Sequence, residues 1–231
     1  MKYIFYRRKS GDIFTKSVLI VVSTIFNLLH VCGQNTSKDT TYRQAISQRA
    51  YKIVAPLKLK DSVTFYKVKE AIATQYMNLS GLDEKLEAAI RNIKETTADK
   101  EAAAKKVNGL AATTEAARIQ LHNDYIRHLA ALLTREQIDV IKNGMTYNVL
   151  PITYKGYLEM IPRLTTEEQK FIMDALVEAR EHAMDAGTSD KKHAWFGKYK
   201  GRINNYLSAH GYDMNKESKA WQERVKASQK H

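Results

Sequence analysis

From Asp61 to Ile93 the apolar residues return every three or four positions, with one gap of five. They are Val63, Val68, Ile72, Tyr76, Leu79, Leu82, Leu86, Ile90 and Ile93. That spacing gathers on one side of an α-helix and scatters over both faces of a strand. No stretch of five or more residues alternates in a way that demands a strand. The expected fold is therefore all-α, an irregular bundle of about six to eight helices.

The remaining helices follow from the same reasoning. Residues 40–54 carry Ala45, Ile46, Ala50, Ile53 and Val54 on one stripe, and Pro56 ends it. Asp61 is placed to cap the long helix, and Gly81 is expected to bend or break it. Residues 99–109 are rich in Ala, Lys and Glu but have little apolar face, which suggests an exposed turn region or a projecting helical hairpin. A separate helix is expected over 114–133. Two capping boxes follow: Thr134 with Gln137, and Thr165 with Glu168. Gly187 is expected to close the second of these helices in the left-handed region. Ser189 or Asp190 starts the next helix, Gly211 ends it, and Asn215 caps the last.

The N-terminus reads as an export label. Lys2, Arg7, Arg8, Lys9 and Lys16 precede an apolar run over 17–31, and Val31-Cys32-Gly33 suits a signal peptidase. Two domains are expected: a signal peptide over 1–33 and a single helical domain over 34–231, placed in the periplasm or secreted. Cys32 is the only cysteine, so the remainder cannot form a disulfide within itself. Lipid anchoring at Cys32 is the competing fate, disfavoured by branched Val31 and by His30. No run after Gly33 is long enough to span a bilayer. Residues 34–231 keep a net charge of +8, six units of it after residue 187. Such a basic end attracts anionic surfaces or acidic glycans, while export argues against nucleic acid as a partner.

Two segments are rich in groups that recognise ligands. Gly144 and Pro151 predict an irregular backbone for residues 144–162, which hold Tyr147, Tyr154 and Tyr157. Residues 193–206 add His193, Trp195, Lys198, Lys200, Arg202, Asn204 and Asn205. Flat aromatic faces beside amides and cations suit a pyranose, and the cations favour an acidic or phosphorylated group. The alternative is that these aromatics are half-buried core residues with satisfied polar tips.

Glu178, Glu181 and His182 share one helical face and form a candidate acidic cluster, for a metal or for flanking a reacting bond. Arg180, Lys192 or Lys198 are equally able to pair with these glutamates. His122 and His128 lie six apart, off a common face, and read as ordinary surface or core histidines. The chain has no glycine-rich phosphate loop, no HExxH helix, no serine elbow and no paired-cysteine metal site. The sequence assigns no catalytic residue, no metal and no cofactor.

Residues 145–165, with Met145-Thr146-Tyr147 and Met160-Ile161-Pro162, and residues 179–213, with Ala179-Arg180-Glu181-His182 and Phe196-Gly197-Lys198-Tyr199-Lys200-Gly201-Arg202, are similar to one family. The chain resembles exported proteins of Bacteroidetes-type bacteria catalogued as domain of unknown function 3826, over about 41–221. The resemblance implies export, an all-α domain and a carbohydrate role, and brings no established catalytic residue. The Leu133-Thr134 start also resembles that of helices in periplasmic stress chaperones.

The leading expectation is thus a non-catalytic exported domain that binds carbohydrate. The alternatives are a chaperone-like or envelope interaction protein, with envelope or secreted proteins as partners, and a glycoside-active enzyme using Glu178 or Glu181.

Overall fold

Six of the described helices begin where a side chain satisfies free backbone N–H groups. In the computed structural model, which describes residues 40–228, Asp61 accepts from the N–H groups of Val63 and Thr64 at 3.0 and 2.9 Å. Asp99 does the same for Glu101 and Ala102. Both capping boxes form, Thr134 with Gln137 and Thr165 with Glu168. Thr188 accepts from Lys191 N–H at 3.2 Å. The expected signal peptide and Cys32 lie outside the described residues.

The chain divides into two compact units, Met1–Ile46 and Ser47–His231. The described part of the first, residues 40–46, is helical. That helix, α1, extends to residue 54 and is followed by a 3-10 turn, Ala55–Leu57. Then come α2 Ser62–Thr96, α3 Lys100–Ala130, α4 Arg135–Met145, α5 Val149–Met160, α6 Thr166–Met184, α7 Ser189–Ala209 and α8 Met214–Ser228. The described residues form eight α-helices and no strand, as the apolar period requires.

In the second unit, α2 and α3 make one long hairpin. A second hairpin, α6 and α7, packs against α4, α5 and α8. One core cluster is built on this second hairpin. Ala175, Ala179 and Ala183 of α6 meet Phe196, Tyr199, Ile203 and Leu207 of α7, joined by Tyr157, Ile161 and Tyr212. The small alanines let the two backbones approach, and the large α7 side chains fill the groove.

Several local expectations are corrected. Gly81 does not break α2, which runs 35 residues without interruption. A lone glycine costs a helix about 1 kcal/mol relative to alanine, too little to stop one that packs along a partner. Residues 99–109 and 114–133 are not separate: they are one helix, α3, so the projecting hairpin is the correct alternative. The backbone of 144–162 is mostly helical, not irregular. Gly144 lies inside α4, and Pro151 sits in the first turn of α5, where its missing N–H has no intrahelical partner to lose. The irregular parts are Thr146–Asn148, with Tyr147 and Asn148 both left-handed at φ 57° and 56°, and the end at Ile161 and Pro162.

Gly187 is not left-handed; the left-handed glycine among the described residues is Gly211, at φ 87°. There Tyr212 N–H bonds the Leu207 carbonyl and Gly211 N–H the Ser208 carbonyl, a Schellman close to α7. Glycine is needed at 187 for another reason. A Cβ there would stand 2.2 Å from the Asp83 carboxylate of α2. The last helix is capped by Asp213, which accepts from Asn215 and Lys216 N–H, and not by Asn215.

Candidate functional site

An open cleft of about 610 Å³ lies between the two hairpins. Asp83 of α2 and Arg118 and His122 of α3 form one wall; Glu181, Asp185 and Trp195 of α6 and α7 and their junction form the other. Arg118 and His122 face it together because four residues separate them on α3, and Glu181 and Asp185 do so for the same reason.

The polar groups are tied into pairs. The Arg118 guanidinium donates to Asp83 Oδ1 at 2.6 Å and to the Asp185 carbonyl at 3.0 Å. His122 Nδ1 lies 2.7 Å from Asp185 Oδ2. Lys142 donates to Glu181 Oε2 at 2.6 Å, and Arg180 reaches Glu181 Oε1 at 3.2 Å. Arg180 is itself buried and also donates to Asp139 and Asn143. The hydrogen bond to Asp185 holds His122 above the ordinary imidazole value, against the opposing effect of burial. Asp185 is 7 % exposed, and its second oxygen, Oδ1, has no hydrogen-bond partner. Beneath the α6–α7 junction, the buried Lys192 ammonium caps α6 by donating to the Ala183 and Met184 carbonyls. Burial pulls its amine down to about 8.

The structure brings together Trp195, Lys198, Glu181 and His182, all of which line the cleft. Trp195 is half-buried, stacked on the His182 ring at 4.3 Å, and the Lys198 ammonium stands 5.0 Å over the indole. The other candidates sit elsewhere. Tyr147 and His193 stack on each other at 5.6 Å, both exposed. Tyr157 is buried and donates to Asn204 Oδ1 at 2.7 Å and to the Lys200 carbonyl at 3.5 Å; burial pushes its hydroxyl up to about 12. Tyr154 packs half-buried against the core. Asn205 and the Lys200 side chain face solvent. Arg202 pairs with Glu178 at 3.0 Å and lies over the Phe171 and Tyr199 rings. The Tyr199 hydroxyl, and then Arg202, hold the Glu178 carboxyl below its usual range.

Glu178 is therefore engaged outside the cleft, and the acidic cluster is divided. Among the described residues, no group of three or more His, Cys, Asp or Glu is placed to hold a metal ion. Asp83, Arg118 and Asp185 line the cleft although the sequence did not single them out, and His122, read there as ordinary, lines it too. Their only local signal was the i, i+4 pairing of 118 with 122 and of 181 with 185.

Over residues 43–227 the chain matches the family described as "Protein of unknown function (DUF3826)". The chain belongs to that family. The match takes in every cleft residue, from Asp83 to Lys198. No curated protein matches the chain. None of the described helices of this DUF3826 protein is long and apolar enough to cross a membrane.

Proposed function

We propose that this is an exported carbohydrate-binding domain whose ligand seats between the α2–α3 and α6–α7 hairpins. One observation carries the reading: a cleft in which a half-buried indole borders a dense array of carboxylate, guanidinium and imidazole groups. Its volume falls in the range of about 300–1,000 Å³ usual for small-molecule sites. Each sugar hydroxyl both donates and accepts. Asp83, Arg118 and His122 on one wall and Asp185 on the other offer partners of both kinds at close spacing. Trp195 and Ile119 supply the apolar border.

A glycan panel at low and high salt tests the proposal. Selective binding that survives high salt is expected, because contacts inside a cleft are screened less than those on a surface. Trp195→Ala should weaken binding at least about tenfold with the helical signal unchanged. Binding to every polyanion that disappears in salt would place the affinity on the basic C-terminal end. A panel with no binder would remove the proposal.

The second reading, an envelope interaction surface, has its own observation. Tyr51 and Tyr66 are 54 % and 63 % exposed, and both rings meet Phe65 edge-on. A pull-down from the cell envelope that Tyr66→Ser abolishes, with glycan binding intact, would favour this surface.

A further inference from the structure

Two imidazoles stand in the cleft among carboxylates paired with cations, and one of them, His182, is covered by the Trp195 ring at 4.3 Å. Glu181 is bonded by Lys142 and Arg180, and Asp83 by Arg118. The exposed Glu115 lies 3.4 Å from Arg118 Nε. Hydrolysis by a carboxylate pair needs a carboxyl group free to reach the leaving oxygen, and Glu181 and Asp83 are already engaged by cations.

His122 is set differently. Asp185 holds its Nδ1 at 2.7 Å, which assigns the proton on that nitrogen and leaves Nε2 to exchange one. Nε2 lies 3.7 Å from Glu181 Oε2, beyond hydrogen-bond reach. Asp185 Oδ1, buried in the wall and without a protein partner, marks a further unsatisfied acceptor beside the ring. At the mouth stand Lys191, 58 % exposed and 3.9 Å from Asp83, and Lys198 over the indole. Both are able to meet a carboxylate entering from solvent.

We propose that this cleft cleaves uronic-acid glycans by β-elimination, with His122 as the catalytic proton carrier and Asp185 as its positioning residue. The inference rests on the carbohydrate reading above and names the substrate class of the same site. Lys191 and Lys198 face the uronate carboxylate, which lowers the cost of charge building beside C5. Neutral Nε2 takes the C5 proton. The C5–H electron pair becomes the C4=C5 double bond, and the C4–O bond breaks with its pair on the glycosidic oxygen. The imidazolium then returns the proton to that oxygen. A C–H and a C–O bond are lost, a C=C and an O–H bond are gained, and no water or redox partner is consumed.

The pH profile has a defined sense. Asp185 and Glu181 of the α6 side face the ring, with Lys142 of α4 behind Glu181 and Arg118 one turn away on α3. Their balance holds His122 protonated past its ordinary value, so the neutral base gains population as pH rises above about 6.5. Activity should rise through that range.

The test uses the purified protein with polygalacturonate, alginate and hyaluronate, and a neutral glucan as control. The expected result is ultraviolet absorbance from a conjugated unsaturated acid, with chain ends one water lighter than hydrolytic ends. His122→Gln should lower the rate at least about 100-fold while binding stays within a few-fold. If that variant does not fold by circular dichroism, His122→Asn replaces it. Asp185→Asn should lower the rate less and move the profile to lower pH, a shift that a purely structural role does not produce. Uronate chains that bind but are recovered intact, or full activity in His122→Gln, would overturn elimination and leave carbohydrate binding standing. Binding confined to neutral glycans would overturn the substrate class. No binding to any glycan would remove both readings.

Discussion

The α2–α3 and α6–α7 hairpins flank one cleft and are held together by different means. In α6, eight residues are buried, and the alanine row Ala175, Ala179 and Ala183 meets the large side chains of α7. In the other hairpin, six of 35 residues in α2 and three of 31 in α3 are buried, and residues 82–113 bury none. One hairpin is fixed by packing. The far half of the other rests on helix propensity and on the Asp99 cap, which makes it the part expected to open first.

The largest test of this contrast is Phe196→Ala. It should cost about 3–5 kcal/mol, because a large side chain leaves a filled groove, whereas Leu86→Ala in the half-buried hairpin should cost about 1 kcal/mol. Urea denaturation of the two variants measures both, and equal losses would break the comparison. Gly187→Ala should cost about 1–3 kcal/mol, because its methyl group would displace the Asp83 carboxylate and disturb the Arg118 pair. Gly109→Ala has the opposite sign. Nothing lies within 4 Å of the added carbon, so the substitution should stabilise by about 0.5–1 kcal/mol, read as a small rise in Tm.

A further test compares two titrating groups by direction rather than size. His122 is held above its ordinary value by Asp185, so its contribution to stability is whole below pH 6.5 and fades as pH rises through the folded value. Lys192 is held down to about 8 from 10.5 by burial, so its penalty is whole below pH 8 and lifts between 8 and 10.5. Stability should thus fall as pH rises from 6.5 and climb again above 8. Asp185→Asn should weaken the fall, and Lys192→Met should remove the climb. Unfolding free energies that are flat across this range in the parent protein would contradict both.

Much of the fold was legible because it is written in local rules. The helical period of α2, the Asp61 cap, both threonine boxes and the Gly211 stop depend on residues within five positions of one another. The errors arose where a local rule met a tertiary one. Gly81 was read as an interruption, yet its helix continues through it. Gly187 was read as a backbone turn, but it is small because Asp83, about a hundred positions earlier, packs against it. The site was less legible for the same reason. Trp195, Lys198, Glu181 and His182 could be picked out by residue type. His122 could not, since its meaning depends on Asp185, 63 positions away. Tyr157 and Asn204 read as ligand groups and instead satisfy each other.

The buried cap at Lys192 has a use beyond holding α6. An amine that is half neutral near pH 8 is chemically nucleophilic, yet one sealed against two carbonyls meets no reagent until the α6–α7 junction parts. Acylation at Lys192, timed against the exposed Lys191 beside it, becomes a clock for that parting. Because the junction also borders the cleft, a ligand seated there should slow the clock at Lys192.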